Sequence, residues 1–316
     1  MRLKVRPGRA GLAVLLATVV VLAFVGLLVA THGAATDEPL AQGDASGHYR
    51  EPAGRGRETD QAMRSAVRPP ATPSARPSVP QAADREDRAG RTDPLPASKP
   101  LAARGVAPSP AIGPLFYTGQ GDPGHGCTAS VVHSPTADLL VTAAHCVHQN
   151  GFHTDIAFVP GYHDGVAPYG VWVPTSIDID PEWISDRDED HDVAFLHVRQ
   201  VGSATPIERV TGAERIAFRP PTPRPARVLG YPSDSETPLG CQNATRMYSA
   251  TQLRFDCEGL PSGTSGSPVL TDVDQTTGLG TVNGVLGGKD EGGDDETSYS
   301  SYFGDGVRAL YERATK

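Results

Sequence analysis

From about Ala111 to the C-terminus, short runs of β-branched and aliphatic residues recur between turns rich in Gly, Pro and Asp. Runs of this kind, bounded by turn formers, are typical of β-strands. They cover residues 129–133, 139–142, 156–159, 170–173, 193–198, 227–229, 253–255, 268–270 and 280–286. Helical spacing occurs only near the end, where Val307, Leu310 and Tyr311 share one helix face. The pattern predicts an all-β domain over residues 111–316, a sandwich or a barrel, with a C-terminal helix from about Gly306.

Charge is distributed unevenly along the chain. Residues 1–110 contain 15 Lys/Arg and 10 Asp/Glu, whereas residues 111–316 contain 13 Lys/Arg and 27 Asp/Glu. An acidic domain excludes nucleic acid as the partner, because phosphates need basic side chains. We expect a protein or peptide substrate as the partner, no nucleic acid, and a monomeric protein.

The N-terminus has the organisation of an export signal. Residues 11–30 carry no charge, and basic residues precede them at positions 2, 4, 6 and 9. Twenty helical residues span about 30 Å, the thickness of a hydrocarbon core. Residues 1–35 are therefore predicted to be a cleaved signal peptide, or a hydrophobic helix that remains as a membrane anchor. The expected location is extracellular, either secreted or anchored to the outer face of the plasma membrane.

The segment between the signal and the β-rich domain has a composition that disfavours independent folding. Residues 31–110 contain twelve prolines and a single aromatic residue, Tyr49. Such a segment buries too little apolar surface to offset the entropy lost on ordering. We predict a disordered linker over residues 36–110. A pro-segment that is removed on maturation is the alternative.

The four cysteines all lie in the acidic domain, at positions 127, 146, 241 and 257. An even number in an exported chain favours disulfide bonds, and four cysteines permit three pairings. No C-x-x-C pair occurs, which argues against a structural zinc site. The sequence predicts no metal and no organic cofactor.

Three motifs carry residues suited to nucleophilic catalysis. They are LLVTAAHC over residues 139–146, HDVAFL over residues 191–196 and GTSGSP over residues 263–268. A serine hydroxyl becomes a good nucleophile when a neighbouring histidine accepts its proton, and a carboxylate orients that histidine. Ser265 alone has glycine two positions before and one position after it, unlike Ser262 and Ser267. Asp192 is favoured over Asp190 because it adjoins the apolar run at 193–196.

Together these motifs resemble the trypsin/chymotrypsin family of serine peptidases, in particular the bacterial branch that includes the glutamyl endopeptidases. The resemblance covers roughly residues 112–316 and implies two packed antiparallel β-barrels with the active site between them. It also implies a catalytic triad of His145, Asp192 and Ser265, with an oxyanion hole formed by the N–H groups of Gly263 and Ser265. The expected activity is that of a serine endopeptidase working through an acyl-enzyme.

The same resemblance implies a bridge between Cys127 and Cys146, next to the catalytic histidine. The remaining cysteines, Cys241 and Cys257, would then pair with each other. A bridge that closes a loop of about 15 residues contributes roughly 3 kcal/mol in the chain-entropy model.

The chain departs from the family pattern at three positions. Thr264 replaces the aspartate that usually pairs with a new N-terminal amine, so we expect activity without that ion pair. Gly259 replaces the aspartate that selects basic side chains in trypsin. Leu286 stands where glutamyl endopeptidases carry a histidine, so a preference for glutamate is not supported either.

Other functions are compatible with parts of the pattern. The main alternative is a catalytically silent binding protein that has kept the trypsin fold. An esterase using the same triad and a membrane-tethered scaffold are further alternatives. The acidic run at residues 186–190 is expected to be a solvated loop, with a calcium site as the lesser possibility.

Overall fold

The computed structural model describes residues 40–71, 95–119 and 121–316. The strands are β1 (Leu40–Ala41), β2 (His48–Arg50), β3 (Arg104–Gly105), β4 (Ile112–Tyr117), β5 (Gly124–Val132), β6 (Leu139–Thr142), β7 (Phe152–His153), β8 (Ile156–Phe158), β9 (Val173–Ile179), β10 (Ala194–Arg199), β11 (Arg215–Ile216), β12 (Arg224–Gly230), β13 (Leu239–Met247), β14 (Gln252–Asp256), β15 (Pro268–Thr271), β16 (Thr281–Val285) and β17 (Thr297–Ser301). The helices are α1 (Ala53–Ala66), α2 (Pro181–Asp186), α3 (Glu208–Thr211) and α4 (Asp305–Ala314).

The first large sheet is antiparallel and closes on itself. Its strand order is β2-β9-β10-β6-β5-β4-β8. Phe158, at the end of β8, exchanges two backbone hydrogen bonds of 2.8 and 2.9 Å with Trp172, which immediately precedes β9. The last strand is thereby joined to the second, which makes the sheet a barrel, as the family resemblance implies.

The second sheet forms the C-terminal barrel. Its order is β11-β16-β15-β12-β13-β14-β17, and β3 adds to the edge of β13. After β16, the Gly287 N–H donates to the Tyr299 carbonyl in β17 at 3.1 Å, which brings the two ends of the sheet together. All its pairings are antiparallel except that of β11 with β16, which is parallel.

Alternation along the strands explains why the apolar runs are continuous. In β6, Leu140 points into the core of the first barrel, whereas Leu139 and Val141 join a second cluster that also contains residues of the C-terminal barrel. Neighbouring side chains of a strand point to opposite faces. Strands that are buried on both faces therefore read as unbroken hydrophobic runs. A third cluster fills the C-terminal barrel.

Helix α4 covers the layer between the barrels. Its Val307 and Leu310 are buried, and the Tyr311 ring meets Phe195 of β10 edge-to-face at 5.6 Å. The helix begins at Asp305, one residue before the predicted start. The predicted all-β architecture with a C-terminal helix is confirmed.

The structure differs from the expected disordered linker over residues 36–110. The described parts of that range contain β1, β2, α1 and β3, and they pack against the barrels. Four apolar side chains anchor them, all at most 8% exposed: Tyr49, Met63, Val67 and Leu95. The composition argument considered only what the segment could bury by itself. The apolar surface that orders it belongs to the barrels.

The predicted export signal concerns the N-terminal end of the chain. The export segment, residues 1–35 with the apolar stretch 11–30, lies outside the described residues. Within residues 40–71, 95–119 and 121–316, every helix is too short or too polar to cross a membrane.

Met63 provides a test of how firmly α1 is docked. Its side chain is fully buried, so Met63→Ala should destabilise the protein by about 2–5 kcal/mol. Met247→Ala is the matched control, because Met247 is 40% exposed and its loss should change stability by less than about 0.5 kcal/mol. Denaturant unfolding of the full chain measures both. Equal effects of the two substitutions would contradict the packing of α1.

Candidate active site

Asp192 lies at the junction of a 3₁₀ turn (Glu189–His191) and strand β10, and it is fully buried. Its carboxylate accepts three hydrogen bonds. The backbone N–H of His145 donates to Oδ1 at 2.9 Å, His145 Nδ1 donates to Oδ2 at 2.8 Å, and the Gly288 N–H donates to Oδ2 at 2.7 Å. A buried carboxylate is tolerated only with such donors. The carboxylate is thus held in a fixed orientation.

The backbone on both sides of His145 is fixed by neighbouring strands. It sits in a 3₁₀ turn (Ala144–Cys146) that directly follows β6. Cys146 is bridged to Cys127 of β5, and the Tyr117 hydroxyl donates to the Cys146 carbonyl at 2.8 Å. The His145 side chain is 10% exposed. The backbone position of His145 is therefore set by β4 and β5, to which its turn is bonded.

The tautomer of His145 follows from its partner. Both Asp192 oxygens accept backbone N–H groups, so we assign the proton between His145 and Asp192 to Nδ1, which leaves Nε2 as an acceptor. Burial acts to lower the pKa of His145, but the charge of Asp192 and its hydrogen bond outweigh burial, so the pKa is raised above its ordinary value. The ring is therefore more basic than a free histidine.

The Ser265 loop packs against the strand end that leads to His145. Gly266 has φ +79°, and a Cβ there would lie 2.1 Å from Thr142 Oγ1 and 2.2 Å from the Thr128 carbonyl. The Thr128 N–H donates to the Ser265 carbonyl at 2.8 Å. Only glycine allows this approach, since any side chain would clash with β5 and β6. Ser265 itself is half-buried.

Backbone donors in this loop fall into two groups. The N–H groups of Thr264, Gly266 and Ser267 donate to the carbonyls of Pro261, Leu286 and Thr264. Within the described part of the chain, the N–H groups of Gly263 and Ser265 donate to no protein atom. Gly263 has φ +96°, and a Cβ there would lie 2.2 Å from the Ser233 nitrogen. The loop thus leaves two donors unused, one on each side of Thr264.

The rival residues lie in other environments. The Asp190 carboxylate accepts from Gln252 Nε2 at 2.8 Å, and its partner is not His145. Ser267 is fully buried, and its hydroxyl has no partner among the described residues. Ser262 is exposed. Of the predicted site residues, the structure bonds His145 to Asp192 directly and places the Ser265 loop against the segment before His145.

The second disulfide joins Cys241 of β13 to Cys257, which follows β14. Both bonds therefore have the pairing that the family resemblance implies. Thr264, the residue without a charge, is 3% exposed, and its hydroxyl donates to the Pro261 carbonyl at 2.7 Å. As expected, Thr264 makes no ion pair here, and its hydroxyl forms a local hydrogen bond instead.

One contributor was missed by the sequence reasoning. Gly288 supplies an N–H to Asp192, and a Cβ at its neighbour Gly287 would lie 2.7 Å from Asp192 Oδ2. A backbone donor has no side-chain signature, so only the paired glycines after β16 hinted at a close approach.

Few described residues could hold a metal. Cys127, Cys146 and His145 lie close together, but the two cysteines form a disulfide and offer no thiolate. Asp180, Glu182 and His191 form a second group. There the His191 Nδ1 lies 3.2 Å from Asp180 and its Nε2 lies 2.6 Å from Glu182, so ion pairing accounts for the cluster. The carboxylates of the 186–190 run are partly used to cap local turns, as Asp188 does for the Asp190 N–H.

A known protein family matches the part of the chain that carries this geometry. Residues 127–279 match the family described as the trypsin-like peptidase domain, and the match includes the segments that carry His145, Asp192 and Ser265. Residues 127–279 thus resemble a trypsin-like peptidase domain in sequence. No curated protein has a sequence that matches the chain.

Solved structures with the same fold are bacterial-type proteases. Protease Anisep from Arthrobacter nicotinovorans is 23% identical, with a TM-score of 0.60 over 68% of this chain and 99% of that one. The thermostable serine protease AL20 from an extremophilic microorganism is 26% identical, with a TM-score of 0.57 over 66% and 97%. A Glu endopeptidase in complex with MPD is 19% identical, with a TM-score of 0.53 over 68% and 96%. The recognition of a trypsin-like fold of the bacterial kind is confirmed.

The peptidase domain's His145 should titrate above the ordinary histidine value of about 6.5. Since folding raises this pKa, the stability contributed by the pair is present below about pH 6.5 and is lost as pH rises through the folded-state pKa. Asp192→Asn should lower the pKa of His145, because it removes the charge that opposes burial most strongly. Asp138→Asn removes the partner of His197 instead and should leave His145 unchanged. NMR titration of the ring proton measures both, and an unaltered value in Asp192→Asn would contradict the pairing.

The peptidase domain also contains a matched pair of glycines for testing the Ser265 loop. Gly266 and Gly278 both have positive φ, but only Gly266 has atoms in the way of a side chain. Each Gly→Ala substitution strains the backbone by about 1–3 kcal/mol. Gly266→Ala should lose a further 1–3 kcal/mol, roughly, from overpacking. Urea unfolding compares the two, and equal losses would argue against the close packing of the loop on β5 and β6.

Proposed function

We propose that this chain is a serine endopeptidase that hydrolyses peptide bonds through an acyl-enzyme, with His145, Asp192 and Ser265 as its catalytic triad. The observation that carries the proposal is the 2.8 Å hydrogen bond from His145 Nδ1 to a fully buried Asp192. It fixes the imidazole with Nε2 as the acceptor, next to a loop that carries a serine between two positive-φ glycines.

In the first half-reaction, Ser265 Oγ attacks the carbonyl carbon of the scissile bond while His145 Nε2 takes the hydroxyl proton. Asp192 stabilises the imidazolium that forms. The imidazolium then gives its proton to the amine nitrogen as the C–N bond breaks, which leaves the acyl group on Ser265. Water repeats the sequence, releases the acid and restores the serine.

The oxyanion of each tetrahedral intermediate needs preorganised donors. The unused N–H groups of Gly263 and Ser265 support their assignment to this role, because the neighbouring N–H groups are already paired within the protein. Both donors belong to the backbone, so they are fixed before substrate arrives. In other serine proteases, removal of one oxyanion donor lowers the rate by about 10²–10³-fold.

The substrate is a protein or peptide, which is what a trypsin-like peptidase domain implies. Leu286 is 3% exposed and packs in the third core cluster together with Leu260. Neither Gly259 nor Leu286 offers a charge that would select a charged substrate side chain. We therefore propose that Gly259 and Leu286 select neither basic nor acidic side chains of the substrate.

The site of action is proposed to be outside the cytoplasm. Two disulfide bonds support this location, because such bonds persist in oxidising compartments. The apolar stretch at residues 11–30 supplies the export signal in this proposal. Mass spectrometry of the N-terminus of the exported protein distinguishes a cleaved signal from a retained anchor.

Substitution at the triad tests the mechanism in the full-length chain. Ser265→Ala should abolish both fluorophosphonate labelling and hydrolysis of a peptide library. Asp192→Asn should lower kcat by about 10⁴-fold, because it stabilises the wrong histidine tautomer. The matched controls are Ser267→Ala and Asp190→Asn, whose side chains lie outside the proposed proton-transfer line, and both should remain active.

The outcomes separate the proposal from its main alternative. Equal cleavage by the parent and by Ser265→Ala would make the triad assignment wrong. A parent chain that neither labels nor cleaves would support a catalytically silent binding protein with this fold. Cleavage of esters but of no peptide in the library would instead support an esterase.

A further inference from the structure

A segment between β2 and β4 lies along the edge of the second barrel. We call residues 98–106 the strap. Its strand β3 pairs antiparallel with Leu239 and Gly240 of β13. At one end the Ser98 N–H donates to the Gln242 carbonyl at 2.8 Å, and at the other the Val106 N–H donates to the Pro238 carbonyl at 3.1 Å. The strap therefore covers a strand edge that would otherwise be open.

The middle of the strap also binds the segment that leads to the nucleophile. The Ala103 N–H donates to the Glu258 carbonyl at 2.8 Å, and the Glu258 N–H donates to the Leu101 carbonyl at 3.1 Å. On the opposite side, the N–H groups of Cys257 and Gly259 donate to residues 296 and 295. Residues 257–259 thus form a short extended piece between two neighbours, and the strap is one of them.

The segment from Glu258 to Ser265 is restrained at several points. Leu260 is buried in the third core cluster, and Ala103 of the strap packs against that same cluster. Pro261 accepts both the N–H and the hydroxyl of Thr264. The Gly263 carbonyl accepts from Thr128 Oγ1 at 3.0 Å. A displacement of Glu258 is therefore transmitted through the buried Leu260, and then through the hydrogen bonds of Pro261 and Gly263, to the loop that carries Ser265.

We propose that the strap positions the Ser265 loop, so that the active arrangement depends on residues 98–106 remaining bound. This inference rests on the proposed function. Thr264 carries no charge that could pair the loop with a new N-terminal amine, and the strap, which lies between β2 and β4, holds the loop in a different way. Processing that removes residues 98–106 would then inactivate the enzyme.

A matched pair of substitutions in the full-length chain tests the strap. Ala103→Pro removes the N–H that donates to Glu258. Ala107→Pro is the control, because within the described residues the Ala107 N–H donates to no protein atom and the side chain is exposed. Ala103→Gly keeps the donor and should rescue activity. We expect Ala103→Pro to lower kcat by about 10–100-fold, the loss typical of a small misplacement of catalytic groups, and Ala107→Pro to have the parental kcat.

Hydrogen exchange followed by mass spectrometry provides a readout that does not depend on activity. Ala103→Pro should increase exchange in residues 259–266 and leave residues 139–147 of the first barrel unchanged. A general loss of protection would mean that the variant unfolds. Ser98→Pro, which removes an N–H that donates to Gln242, would then replace it, with increased exchange in residues 259–266 expected again.

The two hypotheses fail in different ways. A parent chain without Ser265-dependent hydrolysis would contradict the proposed function, and the exchange data would still report on the strap. Unchanged exchange in residues 259–266, or a parental kcat in Ala103→Pro, would overturn the strap proposal while leaving the triad intact.

Discussion

The burial of the Asp192 carboxylate is the constraint on which the rest of the structure depends. A fully buried negative charge is very costly unless donors surround it, and here the donors come from both barrels. His145 approaches from the first barrel with two N–H groups, and Gly288 approaches from the second with one. Satisfying this one charge therefore fixes how the barrels meet and where the imidazole points.

The sequence predicted the parts of this arrangement that have a local signature. The apolar runs predicted the strands that are buried on both faces, as Leu139 and Leu140 of β6 illustrate by contributing to different clusters. The motifs around residues 145, 192 and 265 could be recognised because each combines a reactive side chain with characteristic small or apolar neighbours. The contribution of Gly288 could not be predicted, since a backbone N–H is present at every residue except proline and only the fold selects one of them.

The N-terminal segment marks the limit of composition as a guide. Its low aromatic and high proline content predicts that it forms no core of its own. Its described parts are ordered because four of their side chains pack against the barrels: Tyr49, Met63, Val67 and Leu95. The Tyr49 ring, for example, stacks on Phe152 at 5.3 Å. Composition reports what a segment can do alone, whereas the order of this segment results from what it touches.

The pairing of β3 with β13 has a consequence for the timing of biosynthesis. The chain leaves the ribosome N-terminus first, so residues 104–105 emerge well before their partners at 239–240. Each disulfide, in contrast, joins cysteines only 19 or 16 residues apart and can form as soon as its own hairpin has appeared. Of these elements, β3 thus waits longest for its partner, which exists only after residue 240 has been made.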